Sequence, residues 1–217
     1  HGIGEIFGLA RGPPILAGAL DAVKMGTTLA TNALLERKGE RTALVITRGF
    51  GDALRIAYQN RPRLFVRRIE LPAQLYERVI EADERIGAHG EIVRPLDHEA
   101  VRRDLEAARL AGISAIAIVL MHGYRFPQHE LAVAALAREV GFAQVSVSHA
   151  VCPLMKLVSR GDTTVVDAYL SPILRRYVNQ VERDLGGGDE ASDADARYRT
   201  RLQFMQSNGG LTDAHRF

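Results

Sequence analysis

Two β-branched apolar runs set the strongest limit on what this chain can become: Thr42-Ala-Leu-Val-Ile-Thr47 and Ile113-Ser-Ala-Ile-Ala-Ile-Val-Leu-Met121. Both are strand-sized, and both are too apolar for an exposed sheet edge. Such runs need neighbours on either side and cover on both faces. Helical patterns lie around them. Asp97 caps a helix carrying Glu99, Val101, Leu105, Ala108 and Leu110, which Gly112 ends. Pro127 to Val140 forms the next helix, ended by Gly141, and Gln144 to Ser148 reads as a third strand. Asp162 to Leu185 reads as a long helix that begins with Asp162 as its cap and is kinked at Pro172. Strands alternating with helices imply an α/β protein with a mostly parallel or mixed sheet flanked by helices. The two apolar runs are expected to be neighbours or near-neighbours in that sheet.

Ala22 to Met25 suggests a short strand, followed by a helix over Thr28–Lys38. With Thr42–Thr47 this predicts a right-handed β–α–β unit, its helix packed on the sheet. Tyr76 to Ile86 alternates as a strand does. Gly87 to Gly90 then turns the chain and Ile92-Val93 returns as a hairpin partner. Gly186 to Thr200 is Gly-rich and then acidic, which predicts a linker, exposed and mobile over Gly187–Ala196. Arg201 to Gln206 is a final strand ended by the Ser207-Asn-Gly-Gly210 turn. The expected division is therefore a lobe over 1–185, a linker over 186–200, and the start of a further segment over 201–217.

The formal net charge of +2 is spread over mixed Lys, Arg, Asp and Glu, which argues against a nucleic-acid partner. No apolar run reaches membrane-spanning length, so no membrane partner is expected. The single Cys152 excludes an internal disulfide framework and suits a reducing compartment, the cytoplasm. The chain starts at His1 without a methionine, and it is expected to be a piece of a longer protein.

Chemistry is expected first at Gly26, Thr27, Thr28 and Asn32. There a small, hydroxyl-rich turn opens into a helix whose first N–H groups are unpaired and whose dipole end is positive. That end suits an anionic or polar ligand, and equally suits simple capping by threonine. Arg48 follows a buried strand, where open α/β sheets place ligands. It can grip a carboxylate bidentately or form a surface ion pair. Asp162 and Thr163 are a cap first and cleft-lining candidates second. Arg61, Arg63, Arg67 and Arg68 form a basic patch, a solvated face or a contact surface. His149 and Cys152 lie close together, but no second pair completes a zinc site, and no metal site is expected. Neither a G-x-S-x-G elbow nor a Walker A sequence occurs.

Five stretches together resemble the hydantoinase/5-oxoprolinase family. They are Met25–Gly39 (MGTTLATNALLERKG), Thr42–Asp52 (TALVITRGFGD), Asp83–Arg85, Asp162–Pro172 (DTTVVDAYLSP wherein Pro172 is last) and Phe204–Leu211 (FMQSNGGL). The resemblance implies an actin-like, RNase-H-like lobe beside a nucleotide cleft. It implies an enzyme that uses ATP and Mg2+ to open the ring of 5-oxoproline or a hydantoin. It also implies a small-molecule cyclic amide as ligand and a second subunit or domain of the hydantoinase B type. Gly26, Thr27, Thr28 and Asn32 would line the substrate side and Arg48 would meet a substrate carboxylate; the catalytic residues stay unassigned. Two alternatives share these motifs: a subunit of an ATP-dependent ketone carboxylase, and a non-catalytic lobe for subunit assembly. The family's two Gly-Gly-Thr phosphate loops have no counterpart, since Gly-Gly-Thr occurs nowhere in the chain. The expectation is a truncated first lobe that binds no nucleotide and is inactive by itself. Asp167 stands where the family often has Asn, and Arg160-Gly161 also departs from its pattern.

Overall fold

The computed structural model describes residues 21–59, 65, 67–68, 71–184, 201–206 and 209–214. In chain order the elements begin with β1 (Ala22–Met25), α1 (Leu29–Leu35), β2 (Thr42–Thr47), α2 (Ala53–Ile56) and β3 (Tyr76–Ala82). Next come β4 (Arg85–Ile86), β5 (Ile92–Arg94), α3 (His98–Leu110), β6 (Ala115–Val119) and α4 (Gln128–Val140). The last are β7 (Gln144–Val147), α5 (Ser148–Val151), α6 (Leu157–Asp184), β8 (Arg201–Met205) and β9 (Leu211–Asp213). They fall into two compact units, a central one of Ala33–Pro172 and a terminal one of His1–Asn32 with Ile173–Phe217. The expected linker over 186–200 lies outside the described residues, as do Arg61 and Arg63; Arg67 and Arg68 are exposed.

The central unit is built on a four-stranded parallel sheet, β3-β2-β6-β7. The two apolar runs are adjacent in it, with Thr42 opposite Ala115 and Ile46 opposite Val119. Alternation along β2 divides the core. Ala43 and Val45 face one side with Ile116 and Ile118, and meet Val101, Leu105, Val133 and Ala137 of α3 and α4. Leu44 and Ile46 face the other side with Ala117 and Val119, and meet Leu54, Val165 and Ala168. Asp97 caps α3 by accepting from the Ala100 N–H at 3.0 Å, and Gly141 ends α4 in the left-handed region at φ 92°. Leu105 is fully buried at the α3–sheet contact, whereas Leu110 on the same helix is 89% exposed. Leu105→Ala should therefore cost about 2–5 kcal/mol, and Leu110→Ala about 0.5 kcal/mol or less. Urea denaturation of both variants checks the contrast, and equal midpoints would contradict this packing.

The terminal unit holds a mixed sheet, β1-β8-β9, in which β1 and β8 run parallel. Phe204 is fully buried there among Val23, Met25, Val178 and Leu202.

Four expectations need correction. β1 and β2 do not form one β–α–β unit: β1 is only half-buried and takes β8 as its partner, while the fully buried β2 takes β3 and β6. The helix expected over Thr28–Lys38 is shorter and buries only Ala33, with Leu35 76% exposed, so it has no apolar stripe to lay on a sheet. The strand expected over Tyr76–Ile86 divides at Asp83-Glu84, and only its end, β4, pairs with β5. The cause is local: Asp83 turns out to two arginines and Glu84 turns into the interior. The long helix begins at Leu157, so Asp162 lies inside it and is not its cap.

Candidate functional site

The sequence-derived candidates divide between the units. Gly26, Thr27, Thr28 and Asn32 belong to the terminal one, and Arg48, Asp162 and Thr163 to the central one. In the first set Thr27 Oγ1 accepts from the Leu29 N–H at 3.1 Å. Thr28 O accepts from the Asn32 N–H at 2.9 Å, and the Asn32 amide reaches Thr28 Oγ1 at 3.5 Å. These bonds tie up the first turn of α1, which is what capping threonines do. Gly26 has open space where a side chain would stand.

In the central unit Arg48 follows β2 directly, with its side chain 61% exposed. It donates to Asp83 Oδ2 at 2.8 Å, while Arg94 donates to Asp83 Oδ1 at 2.6 Å. Arg94 first, and Arg48 with it, hold the Asp83 carboxyl below the usual carboxylate range. Asp162 lines a cavity of about 640 Å³ with Tyr76, Leu54, Leu75 and Val165. Burial pushes the Asp162 carboxyl up. Burial, reinforced by the charge of Asp162, also pushes the Tyr76 phenol up. Thr163 is not in that lining; its hydroxyl donates back to Ser159 O at 2.9 Å.

The densest polar chemistry sits among residues to which the sequence assigned no site role. In the strand order β3-β2-β6-β7, the chain leaves β2 toward β3 and leaves β6 toward β7. The connections diverge between β2 and β6, and outside the carboxyl ends of such strands open α/β sheets bind ligands. Glu84, His129, Glu130, Ser148 and Arg160 are all buried there. Glu84 accepts from the Thr47 hydroxyl and pairs with His129 Nδ1 at 2.7 Å. Thr47 Oγ1 in turn accepts from the Met121 N–H at 2.8 Å.

Glu130 is the hub. Its Oε1 accepts from the Leu120 N–H at 2.9 Å and the Ser148 hydroxyl at 2.5 Å. Its Oε2 takes the His149 N–H at 3.1 Å and His149 Nδ1 at 2.7 Å. Adjacent residues of α4, His129 and Glu130, thus tie together the ends of β2, β6 and β7. Gly123 passes so close that any side chain there would collide with the Glu130 carboxylate.

Arg160 closes the network from α6. Nη2 donates to Leu120 O at 2.6 Å and Nη1 to Leu154 O at 2.8 Å, with the guanidinium 5.5 Å from the Tyr124 ring centre. Its buried Nε has no partner among the described residues. Burial pulls the guanidinium pKa down, and the charge of Glu130 opposes that shift.

Gly-Gly-Thr is absent from the sequence, and among the described residues no group of three or more His, Cys, Asp or Glu could hold a metal ion. No described helix is long and apolar enough to cross a membrane.

Comparison with known proteins places this architecture. The profile described as the hydantoinase/oxoprolinase N-terminal region matches residues 1–141, and that described as hydantoinase/oxoprolinase matches residues 160–217. The chain is 42% identical over 218 residues to 5-oxoprolinase 1 of Arabidopsis thaliana, covering 90% of this chain and 16% of that protein. The crystal structure of the ATP-dependent caprolactamase from Pseudomonas jessenii superposes with a TM-score of 0.76 at 28% identity, over 98% of this chain and 30% of that one. A nucleotide-free acetone carboxylase shares the fold, with a TM-score of 0.71 at 20% identity over 97% of this chain and 30% of that one. The chain therefore spans less than a third of the length of each.

Proposed function

Because the chain belongs to the hydantoinase/oxoprolinase family, we propose that the whole protein uses ATP, with Mg2+, to open a small cyclic amide such as 5-oxoproline or a hydantoin. One observation carries this reading: a 5-oxoprolinase and a caprolactamase, both named for cyclic amides, each match across nine-tenths or more of the chain. A hydantoinase B-type subunit or domain is the proposed partner. The reducing cytoplasm is the proposed compartment, in keeping with a lone free cysteine.

Gly26, Thr27, Thr28 and Asn32 are proposed to border the substrate, and Arg48 to receive its carboxylate. Arg48 is exposed and already engages a carboxylate, that of Asp83, so a substrate carboxylate would replace like with like. The test uses the full-length protein with ATP and 5-oxoproline, hydantoin or caprolactam, scored by ADP and ring-opened product. Ketone plus bicarbonate is the competing arm. Carboxylation there, without ring opening, would replace this reading with that of a ketone carboxylase. In the full-length enzyme Arg48→Ala should weaken 5-oxoproline binding roughly ten- to a hundredfold, the loss of a charge-assisted bond. An unchanged KM would remove Arg48 from the site.

A further inference from the structure

The two carboxylate–histidine pairs at the carboxyl ends of the sheet are built alike but differ in access. His129 is buried against Glu84 with its side chain 9% exposed. His149, on Glu130, is 20% exposed at the side chain, while its glutamate partner is fully buried. Only His149 can meet a solute.

The bonding around Glu130 decides what His149 presents. The Leu120 and His149 backbone N–H groups can only donate, and each takes one carboxylate oxygen. Ser148 adds a third donor. A carboxylate so placed is an acceptor, so His149 Nδ1 carries the proton that binds Glu130 Oε2. In the neutral ring the lone pair is then on Nε2, the atom turned away from the carboxylate. Glu130 is itself locked by the ends of β6 and β7, so the ring orientation is held from outside the histidine. The same division of labour, a buried carboxylate orienting an imidazole whose other nitrogen is free, serves proton transfer on unrelated folds.

Resting on the ring-opening function proposed above, we propose that His149 Nε2 is the proton-transfer group for the water that opens the cyclic amide, with Glu130 as its positioning residue. Once ATP has given its terminal phosphoryl group to the amide oxygen and left as ADP, the water oxygen forms a bond to the amide carbon as its proton passes to Nε2. The carbon–nitrogen bond then breaks with its electron pair left on nitrogen, and that nitrogen takes the proton back from Nε2. With the phosphoryl group of ATP on the amide oxygen, this cleavage leaves an acyl phosphate and an amine; a second water then releases the carboxyl and inorganic phosphate, and the imidazole ends as it began.

The test uses the full-length enzyme with ATP and 5-oxoproline, wild type measured first. His149→Gln leaves the bonds of Glu130 to Leu120, Ser148 and the 149 N–H available but has no basic nitrogen. Its kcat should fall about 10²- to 10⁴-fold, with KM within about twofold of wild type. His149→Ala should be similarly slow and should regain about tenfold or more on addition of imidazole, in proportion to the unprotonated imidazole present. A structural role would not produce that rescue. Should the wild type open 5-oxoproline while His149→Gln keeps a kcat near wild type, or His149→Ala ignore imidazole, the proton-transfer role is overturned and the ring-opening function stands. A wild type that opens no cyclic amide overturns both.

Discussion

Glu130→Ala is expected to destabilise the central unit by about 3–5 kcal/mol, the range for removing one partner from a buried charged network. Four donors lose their acceptor at once: the Leu120 N–H, the Ser148 hydroxyl, and the backbone and ring N–H groups of His149. A buried donor left unpaired costs about 1–3 kcal/mol, so partial access of water at His149 still leaves a large sum. The loss also removes a carboxylate whose charge acts on the buried Arg160 guanidinium. For a chain of this size the melting temperature should fall by roughly 10 °C. Thermal melts followed by circular dichroism measure it, and a shift of less than about 2 °C would contradict the hub assignment. Glu130→Gln keeps one acceptor oxygen and should lose less.

Arg160→Ala should be nearly as costly, about 3–5 kcal/mol by urea denaturation. The side chain is fully buried, and its removal leaves a cavity beside Tyr124. The carbonyls of Leu120 and Leu154 lose their donors. Arg160→Lys should not restore stability, because a single ammonium cannot span both carbonyls as the planar fork does. Arg160 and Glu130 grip the same residue, Leu120, by its carbonyl and its N–H respectively. The double alanine variant should therefore cost less than the sum of the singles, by about 0.5–3 kcal/mol. Strict additivity would mean that the two side chains act independently.

Much of the fold is a matter of local pattern. β2 and β6 announce themselves because a run of β-branched and aliphatic residues can be solvated on neither face, so it must lie inside a sheet wherever the rest of the chain goes. Asp97 and Gly141 mark helix ends through groups that act within a few residues of themselves. The β4–β5 hairpin follows from a turn of the same short range. The family motifs are legible for the same reason, each being a contiguous stretch.

What the chain left undecided depends on partners distant in sequence. Val23 and Met25 have the alternation of a strand, but nothing local tells them to pair with Leu202 and Phe204 rather than with β2. Asp162 looks like a cap because a small-residue turn follows it, yet Lys156 O accepts the Arg160 N–H, and the helix is already under way before Asp162. Glu130 is the sharpest case. An acidic residue in the first turn of a helix after a proline is ordinarily a solvated answer to the helix dipole, and nothing in Pro127-Gln-His-Glu130 says otherwise. Its burial arises only when β6 and β7 end side by side and direct their first free N–H groups at one point. The sequence by itself therefore determined which segments must be inside, since the cost of hydrating an apolar strand is a property of that strand. Tertiary structure alone decided which charges went in with them, since a buried carboxylate is tolerable only where donors from several segments converge on it.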